Sequence, residues 1–230
     1  PPQIGPGRTI EYLSEDALRA LLNIPDISKA ADHRNRAFMT LMYGAAARCS
    51  ELLDLRVRDL RLETRHPSVY LTGKGNKTRA VPLMLETVNH CKQYLERFHP
   101  SKTRDGSDYF FFTVLHGERH RMSPDNVAYF MKKYGEKARL ICPDIPDRVH
   151  PHQLRHTRAI HLYRDGMPMS VLSEFMGHAD VETTKIYAYA DTEMKRDAIR
   201  KGERMRGIMP DVEPVWKNDE EMMRKLCGLC

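Results

Sequence analysis

The chain has 230 residues, enough for one large or two small domains, and 41% of them are hydrophobic while 30% are charged, as in a soluble globular protein. No apolar run approaches the roughly 18 residues of a membrane-spanning helix, and five irregularly spaced cysteines argue against a disulfide framework and for a reducing compartment. The 37 basic residues against 31 acidic ones give a net charge of +6, which fits a polyanionic partner without requiring one.

The first residues predict a linker. Residues 1–8 carry three prolines and two glycines, a composition typical of a domain boundary. The chain starts without Met and without the basic and apolar regions of a signal peptide, so we expect a fragment of a longer protein. The single CxxC pair at Cys227 and Cys230 has no second pair with which to complete a zinc site.

Helical signals dominate the first quarter of the chain. Ser14 predicts the cap of a helix over about 15–23, and Pro25 ends it. Apolar spacing predicts a second helix over about 33–46, followed by Arg48 and by a short helix that begins at Ser50. Arg48 follows a run of alanines that leaves room for a bulky ligand. The position of Arg48 also fits an arginine that complements the dipole of the preceding helix.

A β-hairpin is predicted next. Residues 68–72 and 78–83 are rich in strand formers and flank the turn 73–77, and residues 60–62 could add a third strand. Lys74 lies on that turn between two glycines, where it could reach into a groove or remain a solvated turn residue. The longer phosphate-loop pattern is absent, which argues against nucleotide hydrolysis.

The middle of the chain predicts further helices and one basic loop. Helices are expected over about 85–98 and 124–139, the second capped by Ser123 with proline at its first position. Residues 109–112 fit a short strand or a buried segment. Residues 116–121 are predicted to form an exposed basic loop, which could contact phosphates or be only solvated.

The stretch from His152 to Tyr187 carries the most chemistry. Helices are expected over about 151–164 and from Pro168 to Met176, the second ending at Gly177, and Asp180 is expected to cap a segment over about 181–189. His152 and Arg155, three positions apart, share a helix face and could hold a phosphate. They also fit the polar surface of an ordinary amphipathic helix.

Two questions about this stretch depend on chemistry. His152 and His156 have the spacing of zinc proteases, but Gln153 cannot act as the general base and Arg155 would place a positive charge beside the metal. A tyrosine hydroxyl beside a phosphate site can act as a nucleophile. Tyr163, Tyr187 and Tyr189 all lie nearby, and physical reasoning from the sequence alone does not choose among them.

The ordered set of motifs resembles the catalytic domain of the tyrosine recombinases: phage integrases, conjugative-transposon integrases and chromosome-dimer resolvases. The motifs are Arg48-Cys-Ser-Glu-Leu, Gly73-Lys74-Gly-Asn-Lys, His152-Gln-Leu-Arg155-His-Thr and Gly177-His178 with Tyr187. The resemblance covers about residues 10–200. In that family the nucleophilic tyrosine follows this histidine by nine residues (187 − 178 = 9), which indicates Tyr187.

The resemblance implies a mainly α fold with a small antiparallel β-sheet (α+β) and a set of six catalytic residues. Tyr187 would attack the scissile phosphate and form a 3′-phosphotyrosyl link, Arg48 and Arg155 would hold its oxygens, and Lys74 would protonate the leaving 5′-oxygen. His152 would assist proton transfer or hold a phosphate oxygen, and His178 would donate a hydrogen bond. No metal or other cofactor and no ATP are expected. The expected DNA contacts are Lys77, Arg79, Arg119, Arg121 and Arg158.

The same resemblance implies the organisation and partners. Residues 1–10 would be the linker from an N-terminal DNA-binding domain, 11–213 the catalytic domain, and 214–230 a tail that docks on a neighbouring protomer or folds back on its own domain. The substrate would be double-stranded DNA, bound by a homotetramer on paired sites that is a monomer without DNA. Accessory DNA-bending proteins and a location in the bacterial cytoplasm, at the nucleoid, are implied.

The expected activity is integration or excision of a mobile DNA element. A type IB topoisomerase uses the same chemistry, and strand exchange between two duplexes distinguishes the two activities. A non-catalytic DNA-binding protein would keep the basic surface without the six catalytic residues. Metal-dependent hydrolysis is the third alternative, and activity in excess EDTA would exclude it.

Overall fold

The computed structural model describes residues 11–177 and Thr184. Of Lys74 it describes the backbone only. Seven α-helices and five β-strands lie in this part of the chain. The helices are α1 (Glu15–Asn23), α2 (Ala30–Gly44), α3 (Cys49–Leu53), α4 (Leu85–Phe98), α5 (Pro124–Arg139), α6 (Pro151–Arg164) and α7 (Met169–Met176). The strands are β1 (Leu60–Arg61), β2 (Ser68–Thr72), β3 (Thr78–Pro82), β4 (Phe112–Leu115) and β5 (Glu118–Arg121). The predicted class, mainly helical with small antiparallel sheets, is confirmed.

Local signals account for several helix ends. The Ser14 side chain accepts the backbone N–H of Ala17 at the start of α1, and Ser123 accepts that of Asn126 at the start of α5. Helix α7 ends at Gly177, whose φ of 63° lies in the left-handed region that glycine adopts without strain. Among residues 11–177 and 184, no helix is long and apolar enough to cross a membrane.

The first sheet has the strand order β1-β2-β3, and all its pairs are antiparallel. The β2–β3 hairpin pairs Leu71 with Arg79 and Thr72 with Thr78, as the sequence predicts, and its turn carries Lys74. Because side chains alternate between the faces of a strand, Arg79 lies on the same face as the buried Leu71 and Val81. The inward-pointing Leu71–Arg79 pair is therefore separated from the turn only by the Thr72–Thr78 pair.

The second sheet corrects one expectation. Residues 116–121 were expected to form a loop, but β4 and β5 pair as a hairpin from Phe112↔Arg121 to Leu115↔Glu118. Its turn consists of His116 and Gly117, both with positive φ (50° and 85°), the conformation of a tight hairpin turn. Strand β5 consists of charged and polar residues that are all exposed, so no alternating apolar pattern marks it in the sequence.

Two hydrophobic clusters hold the fold. The larger one joins α1, α2, α4, α5 and the three-stranded sheet around a group of buried aromatic rings. Those rings belong to Phe38, Tyr94, Phe110, Phe111 and Phe130. The smaller cluster packs Ala46, in the turn after α2, against Ala159 and Ile160 of α6 and Leu172 and Met176 of α7. This smaller cluster holds together three of the elements that form the candidate site: the turn after α2, helix α6 and helix α7.

Candidate active site

Helix α6 presents the His152–Arg155 pair. Pro151 occupies its first turn, and the Gln153 side chain accepts the backbone N–H of His150 at 2.8 Å, which satisfies one of the unpaired donors at the helix start. The Gln153 amide in turn donates to Glu11 at 3.1 Å. The first turn of α6 is therefore fixed on both sides of His152.

Arg155 is almost fully buried and ties two elements together. Its exposure is 4%, and its two terminal nitrogens donate to the carbonyl oxygens of Ala46 and Met176, each at 2.5 Å. Ala46 has a φ of 45°, unusual for a residue other than glycine, and this turn directs its carbonyl toward Arg155. A buried guanidinium held at both ends is fixed in orientation, as two-pronged recognition of a phosphate requires.

Arg48 precedes α3 and is anchored by Glu51. Its backbone N–H donates to Glu51 Oε2 at 2.7 Å and its Nη1 to Glu51 Oε1 at 2.8 Å, while its Nη2 donates to the carbonyl of Gly177 at 3.1 Å. The Arg48 side chain keeps 33% of its surface exposed. The sequence leaves open that Arg48 complements a helix dipole, and the structure shows that it does so at the end of α7 rather than α2.

Arg79 completes the network from the other side. Its Nη1 and Nη2 donate to Glu51 Oε1 and Oε2 at 2.6 and 2.9 Å, and its Nε donates to the carbonyl of Phe175 at 3.2 Å. Burial alone would raise the pKa of Glu51, but the hydrogen bonds from Arg79 and Arg48 outweigh that effect and lower it. Glu51 is therefore a carboxylate at neutral pH.

The end of α7 collects all three arginines. The carbonyls of Phe175, Met176 and Gly177 accept hydrogen bonds from Arg79, Arg155 and Arg48 respectively. The last carbonyls of a helix have no partner within the helix and carry its partial negative charge. They therefore provide three neighbouring acceptors that hold guanidinium groups from three distant parts of the chain within one small region.

His152 lies at the surface beside this region, partly exposed and partly covered by neighbouring residues. Partial burial, then the positive charges of Arg155 and Arg48 and the neighbouring His150, lower its pKa below the ordinary 6.5. The imidazole is therefore neutral at pH 7 and can accept or donate a proton. His156 lies with its ring centroid 6.5 Å from that of His152. In the described part of the chain, no group of three His, Cys, Asp or Glu side chains could hold a metal ion.

The hairpin turn brings Lys74 to the same neighbourhood. A Cβ added at Gly73 would lie 3.1 Å from Glu51 Oε1 and 3.5 Å from Arg48 Nη1, so the Gly73 backbone lies close to the arginine network. Gly73 also donates its N–H to the Lys77 carbonyl at 2.9 Å, which closes the turn. His178 and Tyr187, like the predicted Asp180 cap, lie outside the described residues.

The five cations expected to contact DNA occupy different settings. Lys77 is exposed on the hairpin turn, and Arg121, also exposed, pairs with Asp54 at 2.6 Å. Arg119 pairs with Asp108 at 3.2 Å, and Arg158 stacks 5.1 Å from the ring of Tyr43. Arg79 requires a correction: its side chain is only 15% exposed, and its guanidinium points inward to Glu51 and Phe175 rather than to solvent.

The network is suited to bind an anion. Three arginines against one glutamate give a net charge of +2 (3 − 1), and the exposed part of the network lies at Arg48.

Sequence reasoning left Glu51 and the inward role of Arg79 unassigned. Strand alternation could have revealed Arg79, because Val81 two residues later is buried on the same face. Fixed, partly buried guanidinium groups stabilise developing negative charge better than mobile ones.

Comparison with known proteins identifies the relationship. Residues 11–194 match the phage integrase family. The chain is 32% identical over 198 residues to tyrosine recombinase XerA of Pyrococcus horikoshii, which covers 86% of this chain and 63% of that protein. It is 32% identical over 191 residues to tyrosine recombinase XerD of Staphylococcus epidermidis, with coverage of 83% and 60%. The chain thus spans less than two thirds of the length of both relatives.

Solved structures show the same fold. The crystal structure of XerA recombinase superposes with a TM-score of 0.68 at 27% identity, over 88% of this chain and 66% of that one. The Tn1549 transposon integrase in complex with transposon right end DNA superposes with a TM-score of 0.68 at 20% identity, over 88% and 68%. The second likeness bears on the fold alone.

Proposed function

The chain belongs to the phage integrase family of tyrosine recombinases, and from this membership we propose that it carries out site-specific cleavage and rejoining of DNA strands. The observation that supports the proposal most strongly is the convergence of Arg48 and Arg155 on adjacent carbonyls at the end of α7, next to a neutral His152. Together these groups form a rigid cationic site on the motifs that the family resemblance singles out.

The proposed step exchanges one phosphodiester for another. The Tyr187 hydroxyl loses its proton and attacks the scissile phosphorus, forming a 3′-phosphotyrosyl bond. The bond from phosphorus to the 5′-oxygen breaks, and that oxygen takes a proton from Lys74 and leaves as a hydroxyl. Attack by a 5′-hydroxyl reverses the step and joins a strand. The bond energy stays in the phosphotyrosine, so the reaction requires no ATP.

The described residues supply the charge that this step needs. Arg155 is oriented by two carbonyls, while Arg48 keeps exposed surface that can face a non-bridging oxygen. Both would stabilise the additional negative charge of the pentacovalent transition state, the role that metal ions have in many nucleases. His152, neutral at pH 7, could accept the tyrosine proton or hold a phosphate oxygen, and His178 would donate a further hydrogen bond.

We further propose the substrate and assembly. Double-stranded DNA carrying the ends of a mobile element would be the substrate, bound by a homotetramer on paired sites that forms from monomers. The tail over 214–230 would contribute to that assembly, with accessory DNA-bending proteins as additional partners. The protein would act where bacterial DNA lies, in the cytoplasm at the nucleoid. Lys77, Arg119, Arg121 and Arg158 remain the proposed contacts to the DNA backbone.

Arg155 provides the direct test of the catalytic role. Arg155→Ala should retain DNA binding, measured by electrophoretic mobility, yet lose cleavage of a nicked duplex. Loss of one such donor raises the barrier by about 2.7–4 kcal/mol, or 10²–10³-fold in rate. Because Arg155 is buried and also joins Ala46 to Met176, Arg155→Lys serves as a second variant that preserves the charge. Cleavage near the wild-type rate in both variants would contradict the catalytic role proposed for Arg155.

The type of product separates recombination from relaxation. In excess EDTA and without ATP, the proposal predicts strand exchange between two duplexes that carry paired sites. Relaxation of supercoiled plasmid without any exchanged strands would indicate topoisomerase activity instead. DNA binding without any covalent product would indicate a non-catalytic DNA-binding protein.

A further inference from the structure

Arg79 stands out because its three hydrogen-bonding nitrogens all donate to other parts of the candidate site. Two of them hold both oxygens of Glu51, and the third holds the Phe175 carbonyl at the end of α7. Its side chain is 15% exposed, so little of it is available to a ligand. An arginine whose three guanidinium nitrogens are all bonded within the protein acts mainly through its partners.

Those partners are the groups that position Arg48. The same Glu51 oxygens accept hydrogen bonds from the backbone N–H and the Nη1 of Arg48. The Gly177 carbonyl, two residues after Phe175, accepts a hydrogen bond from the Nη2 of Arg48. Without Arg79, the negative charge of Glu51 would be balanced by Arg48 alone. The Arg48 guanidinium would then pair more closely with Glu51 and be less available to an external anion.

The fit at Gly177 shows how closely Arg79 packs at this helix end. A Cβ at Gly177 would lie 2.9 Å from both Cδ and Nη1 of Arg79. The side chain therefore fills the space that any residue larger than glycine would need. Arg79 also lies on β3, one pair from the turn that carries Lys74, so it connects the hairpin to the end of α7.

We propose that Arg79 is a positioning residue for strand cleavage: by neutralising Glu51 and holding the end of α7, it keeps the Arg48 guanidinium directed at the scissile phosphate. The inference rests on the proposed function. It predicts that removing Arg79 lowers the rate of the chemical step while DNA binding persists. A displacement of about 1 Å in a catalytic group can reduce a rate by about 100-fold.

The test compares Arg79→Met with the wild-type chain in single-turnover cleavage of a nicked duplex at saturating protein. Folding is checked by thermal unfolding, and Arg97→Met is the matched control because Arg97 also donates to two backbone carbonyls, those of Ile27 and Ser28, away from the site. We expect a rate constant about 100-fold lower for Arg79→Met and an unchanged one for Arg97→Met. A merely structural role would instead lower the reaction amplitude, by reducing the folded fraction.

Two substrate analogues identify the group through which Arg79 acts. A methylphosphonate at the scissile position removes one non-bridging charge, so it lessens the need for Arg48. A 5′-bridging phosphorothiolate has a leaving group that needs no proton, so it bypasses Lys74. The Arg79→Met defect should shrink on the methylphosphonate and persist on the phosphorothiolate. The reverse pattern would overturn the inference, because Arg79 would then act through the hairpin and Lys74.

Arg79→Lys keeps the test decisive if the methionine variant does not fold. The lysine keeps a positive charge opposite Glu51 but loses the two-pronged contact with Glu51 and the hydrogen bond to the Phe175 carbonyl. The rate constant of Arg79→Lys should therefore still fall, with the same response to the two analogues. A rate constant within about twofold of wild type would overturn the inference. If the wild-type chain itself forms no covalent adduct on DNA, it is the proposed function that fails.

Discussion

Glu51→Gln tests the buried charge network most severely. Each carboxylate oxygen of Glu51 accepts two hydrogen bonds, one from Arg48 and one from Arg79, at 2.6–2.9 Å. In glutamine one oxygen becomes an NH₂ group, so two donors lose their acceptor in either amide orientation. At about 1.5–3 kcal/mol for each bond to a charged group, the loss is roughly 3–6 kcal/mol. Breaking a buried ion pair costs a similar amount, about 3–5 kcal/mol.

The pH dependence of this effect has a definite sign. The pKa of Glu51 is lowered below its ordinary 4.5 in the folded protein. The carboxylate therefore contributes stability that is present above pH 4.5 and is lost as the pH falls through the folded pKa, because the unfolded chain binds the proton first. The difference between wild type and Glu51→Gln should be largest at neutral pH and should shrink below 4.5.

Urea unfolding followed by circular dichroism measures both quantities. Asp54→Asn is the matched control, because Asp54 follows the same short helix and pairs with Arg121 at 2.6 Å, but the two side chains are 60% and 36% exposed. Exposed pairs contribute about 0.2–1 kcal/mol. A Glu51→Gln variant that loses no more stability than Asp54→Asn at pH 7, or whose loss does not change with pH, would refute the reasoning.

Three further outcomes follow from the geometry. Thr157→Val removes the hydroxyl that accepts the buried N–H of Leu13 at 2.9 Å, so the unfolding free energy should fall by about 1–3 kcal/mol; an unchanged urea midpoint would contradict this. Gly177→Ala and Gly166→Ala both place alanine at positive φ (63° and 92°), at about 1–2 kcal/mol each. Only Gly177→Ala also displaces Arg79, so only this variant should slow single-turnover cleavage; equal cleavage by both would be the contrary result. The lowered pKa of His152 keeps its imidazole neutral down to below pH 6.5, so the cleavage rate should fall with acid only below that value; His152→Gln should lack this decline, and a profile identical to wild type would exclude the role.

Local structure was largely predictable because its causes are local. The cap at Ser14, the proline after Ser123 and the glycine at 177 fix helix ends through neighbouring backbone groups. The β2–β3 hairpin follows from strand formers around a glycine-rich turn. The β4–β5 hairpin escaped prediction because its second strand is exposed on both faces and therefore lacks an alternating pattern.

The sequence indicated three residues of the candidate site but not the architecture that joins them. Ordered motifs named Arg48, His152 and Arg155, and the structure places them together. The shared anchor at the end of α7 depends on contacts between residues 21 to 129 positions apart, which no local pattern encodes. The positive φ of Ala46, which directs its carbonyl to Arg155, runs against the preference of alanine and arises from tertiary packing.

Covalent capture tests the central claim most directly. The chain would be incubated in EDTA, without ATP, with a pool of nicked duplexes of random sequence, so that a cleavable site is represented whatever its base sequence. Denaturing gels and peptide mass spectrometry would then locate any protein–DNA link. We expect a phosphotyrosyl adduct on Tyr187 that disappears in Tyr187→Phe and persists in Tyr189→Phe. An adduct that survives in Tyr187→Phe would contradict the assigned nucleophile, and DNA binding without any adduct would contradict the proposed reaction.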